Sequence, residues 1–565
     1  MDPKPWRTNW ALSPDSSGVV VSAQLYTYEA AWTGRTLVLV NPRYISQRCS
    51  ECGTIEKTYR SAGIRANVGA SLTGTRMQLL TSCVQLTTFW PGRGQRRQLR
   101  RNLWSKAEGT YQSKGIETPM VSPSHLQEPH SWGRYPQVKH TEVLPVYWRS
   151  EVPELAQNGQ PVLPHAYGRS YGDSCLNENG VALDVSHLDR FISFDVESGL
   201  LCCEAGVSLA EILAVMVPRG WFLPVTPGTK FVSVGGAIAN DIHGKNHHAG
   251  GTFGCHVECF KLLRSDGQRL TCSREQNPEL FAATIGGLGL TGLILWAEFK
   301  LKRIANPYID ADSIQFTSLD EFFELSAQAD KDFEYTVSWV DLLVSEKALC
   351  RGVFMGGNHN QDPALARKQL KKPLPLAVPF NLPQFVLNPL TIKAFNELYY
   401  HKQLIKRRHL IESYEPFFYP LDGIHEWYRM YGKRGFLQYQ FVVPFEGARE
   451  AMSDILGRIR RSGTGSSFLT VLKEFGAIPS PGMLSFPRPG LTLALDFAFA
   501  GEKTLRLLEE LDGVVRHYNG AVYPAKDARM SAASFQQFYP RWQEFAQYID
   551  PHFSSSFWRR VSVPQ

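Results

Sequence analysis

The chain of 565 residues lacks any run of about 20 consecutive apolar residues, the length needed to cross a bilayer. Its opening, MDPKPWRTNW, has no apolar segment of the kind found in a secretory signal. The ten cysteines are scattered without the short spacings of a disulfide-rich secreted domain, which favours reduced thiols. These absences predict a cytoplasmic protein that is soluble or sits peripherally at the inner face of the membrane.

The first 135 residues contain only half of a zinc site. Cys49 and Cys52 form a Cys-x-x-Cys pair after an apolar run, and tetrahedral zinc needs two such pairs. The next cysteine, Cys83, has no partner close by in the sequence. We therefore expect no metal site in this part of the chain. Further on, the cluster of Cys255, His256 and Cys259 offers three ligands without an evident fourth, and we interpret it as core residues.

Residues 40–53, VNPRYISQRCSECG, resemble the zinc ribbon of OrfB-type insertion-sequence transposases. Because the second Cys pair is missing, we predict a truncated transposase fragment over residues 1–53. Residues 54–135 show no sustained apolar period and are predicted to be a disordered linker. Five arginines between positions 93 and 101 contribute to the net charge of +7, and we interpret them as a solvated segment and expect no nucleic-acid partner.

Two glycine-rich stretches stand out in the remaining sequence. Residues 165–173 read HAYGRSYGD, and residues 226–254 read TPGTKFVSVGGAIANDIHGKNHHAGGTFG. Gly235 and Gly236 follow an apolar run, which predicts a strand that turns tightly where a ligand approaches the backbone. Either stretch alone would suit an ordinary turn equally well. Together they suggest one elongated ligand held at both loops.

The two loops together resemble the FAD-binding PCMH-type domain of the vanillyl-alcohol-oxidase superfamily, and within it the decaprenylphosphoryl-β-D-ribose 2-oxidase family. The resemblance runs from about residue 135 to the C-terminus, and IHGKNHH at 242–248 is its most specific part. It implies an α+β fold with a two-part FAD-binding domain over 136–305 and an α+β substrate-binding cap over 306–500. A C-terminal segment, 501–565, would return to the flavin site, and the N-terminal extension would be largely irregular. The alternation of short strands and helices agrees with an α+β class.

The resemblance implies FAD as cofactor, with the backbone N–H groups of the first loop and Arg169 holding the pyrophosphate. The cofactor-binding residues that it implies are Gly168, Arg169, Ser170, Tyr171, Gly172, Asp173, Gly228, Ser233, Val234, Gly235, Gly236, Asn240, Asp241, Ile242, His243, Ile294 and Tyr523. Aldonolactone oxidases of this superfamily commonly carry a flavin-linked histidine where Arg169 stands. Arginine cannot form that bond, so we expect non-covalent FAD.

The catalytic residues implied by the resemblance are Lys526 and His243. Lys526 lies in YPAKDAR, residues 523–529, which matches the family motif except that Ala528 replaces a serine. The implied substrate-binding residues are Tyr171, Lys245, Tyr419, Gln438, Gln440 and Lys473. Thr492 and Ala494 stand where mycobacterial relatives carry Asn and Cys. We interpret His247 and His248 as structural or solvent-facing.

Local patterns also predict particular elements of the cap. Residues 319–329 and 448–461 have the spacing of amphipathic helices, and 436–443 reads as a strand. Residues 374–400 are apolar, rich in proline and only weakly periodic. This segment is either an exposed patch that meets a lipid tail or a core segment broken by prolines, and the sequence supports both interpretations equally.

The resemblance predicts an FAD-dependent oxidoreductase that converts the C2 hydroxyl of a polyprenylphosphoryl ribose-type sugar to a 2-keto group. This is the first half of a 2-epimerisation that gives an arabinose donor for cell-wall synthesis, and a separate short-chain reductase would complete it. One alternative is a sugar oxidase of the D-arabinono-1,4-lactone or aldonolactone type. A non-enzyme alternative, a DNA-binding transposase remnant, rests on Cys49, Cys52 and the arginine run.

Overall fold

The computed structural model describes residues 128–155, 159–345, 347–368, 376–383, 386–463 and 469–563. All of them belong to one unit of the chain, residues 122–565. The predicted transposase fragment and the predicted linker up to residue 127 lie outside the described residues. The elements named below are numbered in chain order within the described part.

The first half of this part contains two sheets and a strand pair. Its strands are β1 Glu142–Pro145, β2 Val162–His165, β3 Val181–Asp184, β4 Phe191–Asp195, β5 Leu200–Glu204, β6 Trp221–Phe222, β7 Val257–Leu263, β8 Arg269–Ser273, β9 Leu293–Lys300 and β10 Lys302–Arg303. A parallel sheet has the order β1-β3-β2, and an antiparallel sheet has the order β4-β5-β9-β7-β8. Strands β6 and β10 pair with each other.

The second half is built on one large antiparallel sheet. Its strands are β11 Tyr308–Phe316, β12 Tyr335–Asp341, β13 Arg351–His359, β14 Leu376–Ala377, β15 Arg407–Ser413, β16 Ile424–His425, β17 Phe436–Val443, β18 Thr470–Phe475, β19 Gly490–Ala498 and β20 Ala521–Val522. The sheet has the order β15-β11-β13-β12-β18-β19-β17-β20, while β14 pairs with β16. We call this large sheet the cap sheet.

The helices are short in the first half and longer around the cap sheet. They are α1 Leu209–Met216, α2 Val234–Ala239, α3 His247–Gly250, α4 Pro278–Thr284, α5 Leu319–Asp332, α6 Pro389–His401, α7 Tyr414–Phe418, α8 Ala448–Ser462, α9 Glu502–His517, α10 Ala532–Phe538, α11 Trp542–Ala546 and α12 Ser556–Val561. Within the part of the chain that the structure describes, no helix combines the length and apolarity needed to span a membrane.

The cap sheet has a covered face and a functional face. Helix α8 shows why one face is covered, because its apolar residues recur at helical spacing and are buried: Ala448, Ala451, Met452, Ile455, Leu456 and Ile459. They join one core cluster with residues of α5, α9 and the sheet. The opposite face of β17, β18 and β19 carries polar side chains that meet the first half of the chain, as described below.

The predicted α+β class is confirmed, as are the helices predicted at 319–329 and 448–461 and the strand at 436–443. The prediction of a strand turning tightly at Gly235 and Gly236 is wrong. Both glycines lie inside helix α2, which begins because the Ser233 hydroxyl accepts the Gly236 N–H at 3.1 Å. Glycine is needed at 235 because a Cβ there would lie 3.0 Å from the Cβ of Ala205.

Residues 128–135, which the prediction assigned to the linker, pack against the first glycine-rich loop. The N–H of Trp132 donates to the Ser170 carbonyl at 2.8 Å, and the N–H of Gly133 donates to that of Tyr171 at 3.2 Å. The carbonyl of Gly133 in turn accepts the Phe436 N–H at 2.9 Å. These backbone contacts fix the loop from outside, and we propose that the FAD-binding domain begins near residue 128 rather than 136. The other predicted domain limits stay predictions.

Candidate active site

The first loop is shaped to hold an anion. Gly168 has a φ of +59°, and a Cβ there would lie 2.3 Å from the His130 carbonyl oxygen, so only glycine fits. The N–H groups of Arg169, Ser170 and Gly172 have no acceptor among the described residues. The Arg169 guanidinium lies 4.1 Å from the centre of the Trp132 ring, and its buried Nε also lacks a partner in the described part. Unpaired donors beside a cation fit the pyrophosphate of FAD.

The second glycine-rich stretch is fixed beside this loop by the C-terminal segment. The Tyr523 hydroxyl donates to the Asn240 carbonyl at 2.9 Å, and the Tyr523 ring stacks on Phe486 with centroids 4.6 Å apart. The Asn240 side chain donates to the Gly236 carbonyl at 2.9 Å. The structure therefore brings residues 236–243 and Tyr523 together, as expected for residues along a flavin. These features fit FAD, which would lie between the first loop and this stretch.

An ion-pair network ties the first loop to the motif that contains Lys526. Arg560 on α12 contacts Asp173 at 2.7 Å and Asp527 at 2.9 Å. The Tyr171 N–H also donates to the Ala525 carbonyl at 2.8 Å. The Asp173 carboxylate is thus engaged by arginine. Its position suits a residue that fixes the loop. Arg560 lies 387 residues from Asp173 in the chain, and no local pattern pointed to it.

Lys526 forms no ion pair with any residue that the structure describes. Its Nζ sits 3.8 Å from the centre of the Tyr171 ring. Burial lowers the pKa of Lys526 to about 7, while the charge of Asp496 acts in the opposite direction. The lysine therefore has a substantial neutral fraction near pH 7 and can accept a proton.

Strands β17 and β19 bring a set of polar groups beside Lys526. The Gln438 side chain donates to the Asp496 carboxylate at 2.6 Å, and the Tyr431 hydroxyl donates to the same carboxylate at 3.0 Å. Burial raises the pKa of Asp496 to about 6. Asp496 was missed by the sequence analysis, although alternation along β19 places it on the same face as Thr492 and Ala494. The signal for Asp496 in the sequence was a single acidic residue among the mostly apolar residues of β19.

His243 connects the second glycine-rich stretch to the cap sheet. Its Nδ1 lies 2.9 Å from the Lys473 Nζ, and its Nε2 lies 3.1 Å from the Gln440 side-chain amide. Burial and the neighbouring Lys473 charge hold the pKa of His243 well below its usual range, so the ring is neutral and carries one N–H. The amide nitrogen of Gln440 is the atom that faces Nε2, and it also donates to the Thr492 hydroxyl at 3.3 Å.

Lys473 is the second buried lysine of the site. Besides His243, it donates to the Gly244 carbonyl at 2.6 Å. Burial lowers its pKa to about 7, and the charges of Lys245 and Lys526 act in the same direction. Three lysines thus influence one small buried region that contains few carboxylates. A negatively charged substrate entering it would restore charge balance and raise the pKa values of both Lys473 and Lys526.

Two predicted substrate-binding residues make contacts outside this cluster. The Lys245 ammonium donates to the Phe417 carbonyl and lies 4.5 Å from the Phe417 ring centre, and burial lowers its pKa to about 8. The Tyr419 hydroxyl lies 2.7 Å from the Thr226 hydroxyl within an aromatic core. Both side chains are engaged by other groups of the protein, so a direct substrate contact for them stays a prediction.

Some predicted cofactor residues are fixed by the protein itself. The Asp241 carboxylate accepts hydrogen bonds from Ser480 and Ser485, each at 2.5 Å, and from the Gly254 N–H at 2.9 Å. Val234, Ile242 and Ile294 are buried in one apolar cluster, whereas Gly228 is exposed. His247 and His248 are structural, because each uses a ring nitrogen to hold the backbone, at Gly476 and Phe333 respectively.

The matches to family models cover two separate regions. Residues 149–273 match the FAD binding domain model, and this range contains both glycine-rich stretches. Residues 23–72 match the Cas12f1-like TNB domain model. This second match confirms the resemblance of the N-terminal fragment to a transposase-type zinc ribbon.

Three curated relatives illustrate the similarity of the rest of the chain. Decaprenylphosphoryl-β-D-ribose oxidase of Mycolicibacterium smegmatis is 36% identical over 449 residues, which is 76% of this chain and 96% of that protein. An uncharacterised Streptomyces coelicolor protein from the mprA 5′ region is 31% identical over 375 residues, 63% of this chain and 100% of its own length. A Neurospora crassa protein provisionally named D-arabinono-1,4-lactone oxidase is 32% identical over 134 residues, 24% of each chain.

Proposed function

Because the chain belongs to the decaprenylphosphoryl-β-D-ribose oxidase family of FAD-dependent oxidoreductases, we propose that it oxidises the C2 hydroxyl of a polyprenylphosphoryl ribose-type sugar. The product would be the corresponding 2-keto sugar. The observation that carries this proposal is the grouping of Lys526, Lys473 and His243: Lys473 contacts His243, and burial together with the charge of Lys526 lowers the pKa of both. Such a site suits a sugar that carries a negative phosphate.

Bound FAD would supply the hydride acceptor. The protein would supply orientation and proton removal. Lys526 in its neutral form would accept the proton of the C2 hydroxyl, which its lowered pKa of about 7 permits near neutral pH. Tyr171 would lie against the sugar from the side of the first loop, because its ring already packs on Lys526. Gln438 and Gln440, on the same strand, would bind sugar hydroxyls.

Lys473 would bind the phosphate, since its ammonium form is stabilised by a nearby anion. His243 is neutral and contacts Lys473 through Nδ1, so it would set the direction of that lysine. The catalytic assignment of His243 rests on its contacts with Lys473 and Gln440.

A 2-keto product would need a second, reducing enzyme if the overall outcome is epimerisation. We propose a short-chain reductase for that step, which would give an arabinose donor for cell-wall synthesis. A lipid-linked sugar also requires the enzyme to meet the membrane that holds it, so we propose a peripheral membrane contact. Both proposals follow from the chemistry of the proposed substrate.

We further propose that FAD is bound without a covalent link. Arginine at position 169 cannot form the histidyl bond of related oxidases, and its guanidinium lies on the Trp132 ring. Acid precipitation of the purified yellow protein is expected to leave the flavin in the supernatant. A flavin that stays in the pellet would contradict this proposal and would favour a carbohydrate oxidase with a covalent cofactor.

The identity of the substrate can be tested by anaerobic reduction of the bound flavin, which is monitored as a loss of flavin absorbance. We expect a water-soluble, short-chain prenylphosphoryl ribose to reduce it, and we expect unphosphorylated ribose to react far more slowly because Lys473 then has no anion to bind. D-arabinono-1,4-lactone is the discriminating comparison, given the Neurospora crassa relative. Equal or faster reduction by the lactone would replace the proposed function with that of an aldonolactone oxidase.

A further inference from the structure

Strongly exposed apolar side chains are concentrated in one stretch of the cap. Val563, near the C-terminus, is 51% exposed, and every described large apolar residue above that value lies between residues 376 and 411. The largest exposed fractions are those of Leu404 at 95%, Leu390 at 80% and Leu398 at 74%. This concentration differs from the scattered exposure of single apolar residues on ordinary surfaces.

Helix α6 carries apolar residues on two opposite sides. Its inner side buries Ile392 and Tyr400, and Asn396 between them donates to Asp341 at 2.7 Å. On its outer side, Leu390 and Leu398 are spaced by eight residues and therefore share one exposed stripe. A helix that is apolar on both sides usually contacts a second surface in addition to its own core.

The turn after α6 presents two more aliphatic residues in a fixed position. The Gln403 side chain donates to the carbonyls of Ser313, Ile405 and Lys406 at 2.8–3.1 Å, and its oxygen accepts from the Ser313 hydroxyl at 2.7 Å. Because Gln403 is held against the sheet, Leu404 and Ile405 point away from it, at 95% and 60% exposure. Their exposure is therefore part of an anchored structure.

The charges around these aliphatic residues are mostly positive. Lys393, Lys402 and Arg408 are exposed and form no ion pair with any described residue. The nearby acids are engaged or half-buried: Glu397 pairs with Arg351 at 2.7 Å, and Glu412 is partly covered. We define the apolar-basic face as Leu390, Lys393, Leu398, Lys402, Leu404, Ile405 and Arg408.

We propose that the apolar-basic face docks the enzyme on an anionic lipid bilayer. Exposed leucines and isoleucine flanked by Lys and Arg are the composition of interfacial membrane segments. Protein interfaces, in contrast, are poor in lysine at their centres. The proposal deepens the proposed function, on which it rests for the lipid character of the substrate.

The position of the face agrees with such a role. The inner side of α6, through Ile392, belongs to an apolar cluster with Trp427 and Phe436, and Tyr171 packs against the same cluster. Tyr171 is the residue on which Lys526 lies. A bilayer that contacts the outer side of α6 would therefore be connected to Lys526 through the packed side chains of this cluster and Tyr171. Docking at this face would let the lipid tail of the proposed substrate stay in the membrane.

Vesicle co-sedimentation tests the proposal directly. The full-length, FAD-loaded protein is expected to bind vesicles of phosphatidylglycerol and phosphatidylcholine and to bind pure phosphatidylcholine vesicles weakly. The triple variant Leu398→Ser, Leu404→Ser, Ile405→Ser should bind at least about tenfold less, because it loses the buried apolar area. The variant Lys402→Gln, Arg408→Gln should lose about fivefold per removed charge, on anionic vesicles only.

A matched control is the variant Ile192→Ser, Val196→Ser. Ile192 on β4 and Val196 in the turn after it are 39% and 46% exposed, outside the apolar-basic face, and their replacement should leave vesicle binding unchanged. Reduction of bound flavin by the water-soluble short-chain substrate, measured without vesicles, should also be unchanged in the triple variant. This second assay separates failure of docking from failure of the proposed function.

Absence of wild-type binding to anionic vesicles would overturn the proposal, and so would unchanged binding of the triple variant. Light scattering gives a further decisive result. If the wild type is a dimer and the triple variant is a monomer, the face is an interface between two copies and the bilayer assignment is wrong. If the short-chain substrate fails to reduce the flavin while vesicle binding behaves as expected, docking stands and the proposed substrate falls.

Discussion

Replacement of Lys526 by methionine is expected to slow flavin reduction by the sugar substrate roughly 10²–10⁴-fold, the usual contribution of a positioned general base. Methionine keeps most of the side-chain length but cannot accept a proton. The Lys526 amine lies over the Tyr171 ring, whereas the contacts that hold the first loop are made by the Ala525 carbonyl and the Asp527 carboxylate, so bound flavin should be retained. Anaerobic stopped-flow measurement of flavin bleaching, with flavin content determined first, checks both expectations.

Lys526→Arg is the sharper version of this experiment, because arginine keeps the positive charge and does not release its proton. If Lys526 acts as the base, the arginine variant should be as slow as the methionine variant. Recovery of the rate in Lys526→Arg would show that charge is sufficient and that proton transfer occurs elsewhere. Lys503→Met, at an exposed lysine of α9, controls for simple loss of a positive charge.

The pH dependence of the wild-type reaction follows from the same assignment. Because only the neutral amine accepts a proton, and because the pKa of Lys526 is about 7 before substrate binds, the reduction rate per substrate concentration should rise with pH on the acid side of that value. It should fall again above that value, because Lys473, whose pKa is also about 7, loses the charge that would bind the phosphate. The Lys526 variants should lose this rise. A profile that stays flat in the wild type would remove Lys526 from the proton-transfer step.

Gly172→Ala is expected to disrupt the site by disturbing the first loop, which is predicted to bind the cofactor. A Cβ at this position would lie 1.7 Å from the Asp527 carbonyl oxygen and 2.8 Å from the Ala528 Cα. Both are backbone atoms, so the first loop and the Lys526 motif would have to move apart. We expect a loss of about 1–3 kcal/mol in the free energy of unfolding from overpacking. Displacement of the reacting groups should also reduce the rate roughly 10²-fold.

Flavin content, thermal unfolding and flavin reduction of this variant measure the three consequences separately. Gly513→Ala is the matched control, because a Cβ there meets only the Arg516 side chain at 3.8 Å and alanine suits the interior of α9. The control should keep flavin content and rate. A Gly172→Ala protein with wild-type flavin content and rate would show that the close contact between loop and motif has no functional role.

The sequence predicted the elements that local patterns determine. Amphipathic spacing predicted α5 and α8, and alternation with β-branched and aromatic residues predicted β17. Prediction from local patterns failed at α2, because an apolar run before two glycines is the pattern of a strand followed by a turn. There the decisive interaction is the capping hydrogen bond of Ser233 together with the packing of α2 on Ala205, which depends on tertiary context.

Residues of the site were predicted where they belong to a recognisable motif, as Lys526 in YPAKDAR and His243 in IHGKNHH do. Asp496 and Arg560 were not predicted, because a lone acid in a strand and a lone arginine in a terminal helix carry little local information. Arg560 acquires its meaning only from its two carboxylate partners, Asp173 and Asp527, which come from different segments.

By itself, then, the sequence determined the family, the cofactor class and the two loops that fit FAD, since glycine positions and short motifs act over a few neighbouring residues. Only the tertiary structure decided which side chains meet. The Lys473 to His243 contact joins residues 230 apart, and burial in that contact is what brings the pKa of Lys473 to about 7. Pairing across a folded sheet and removal from water are properties of the assembled protein, and no local pattern specifies them.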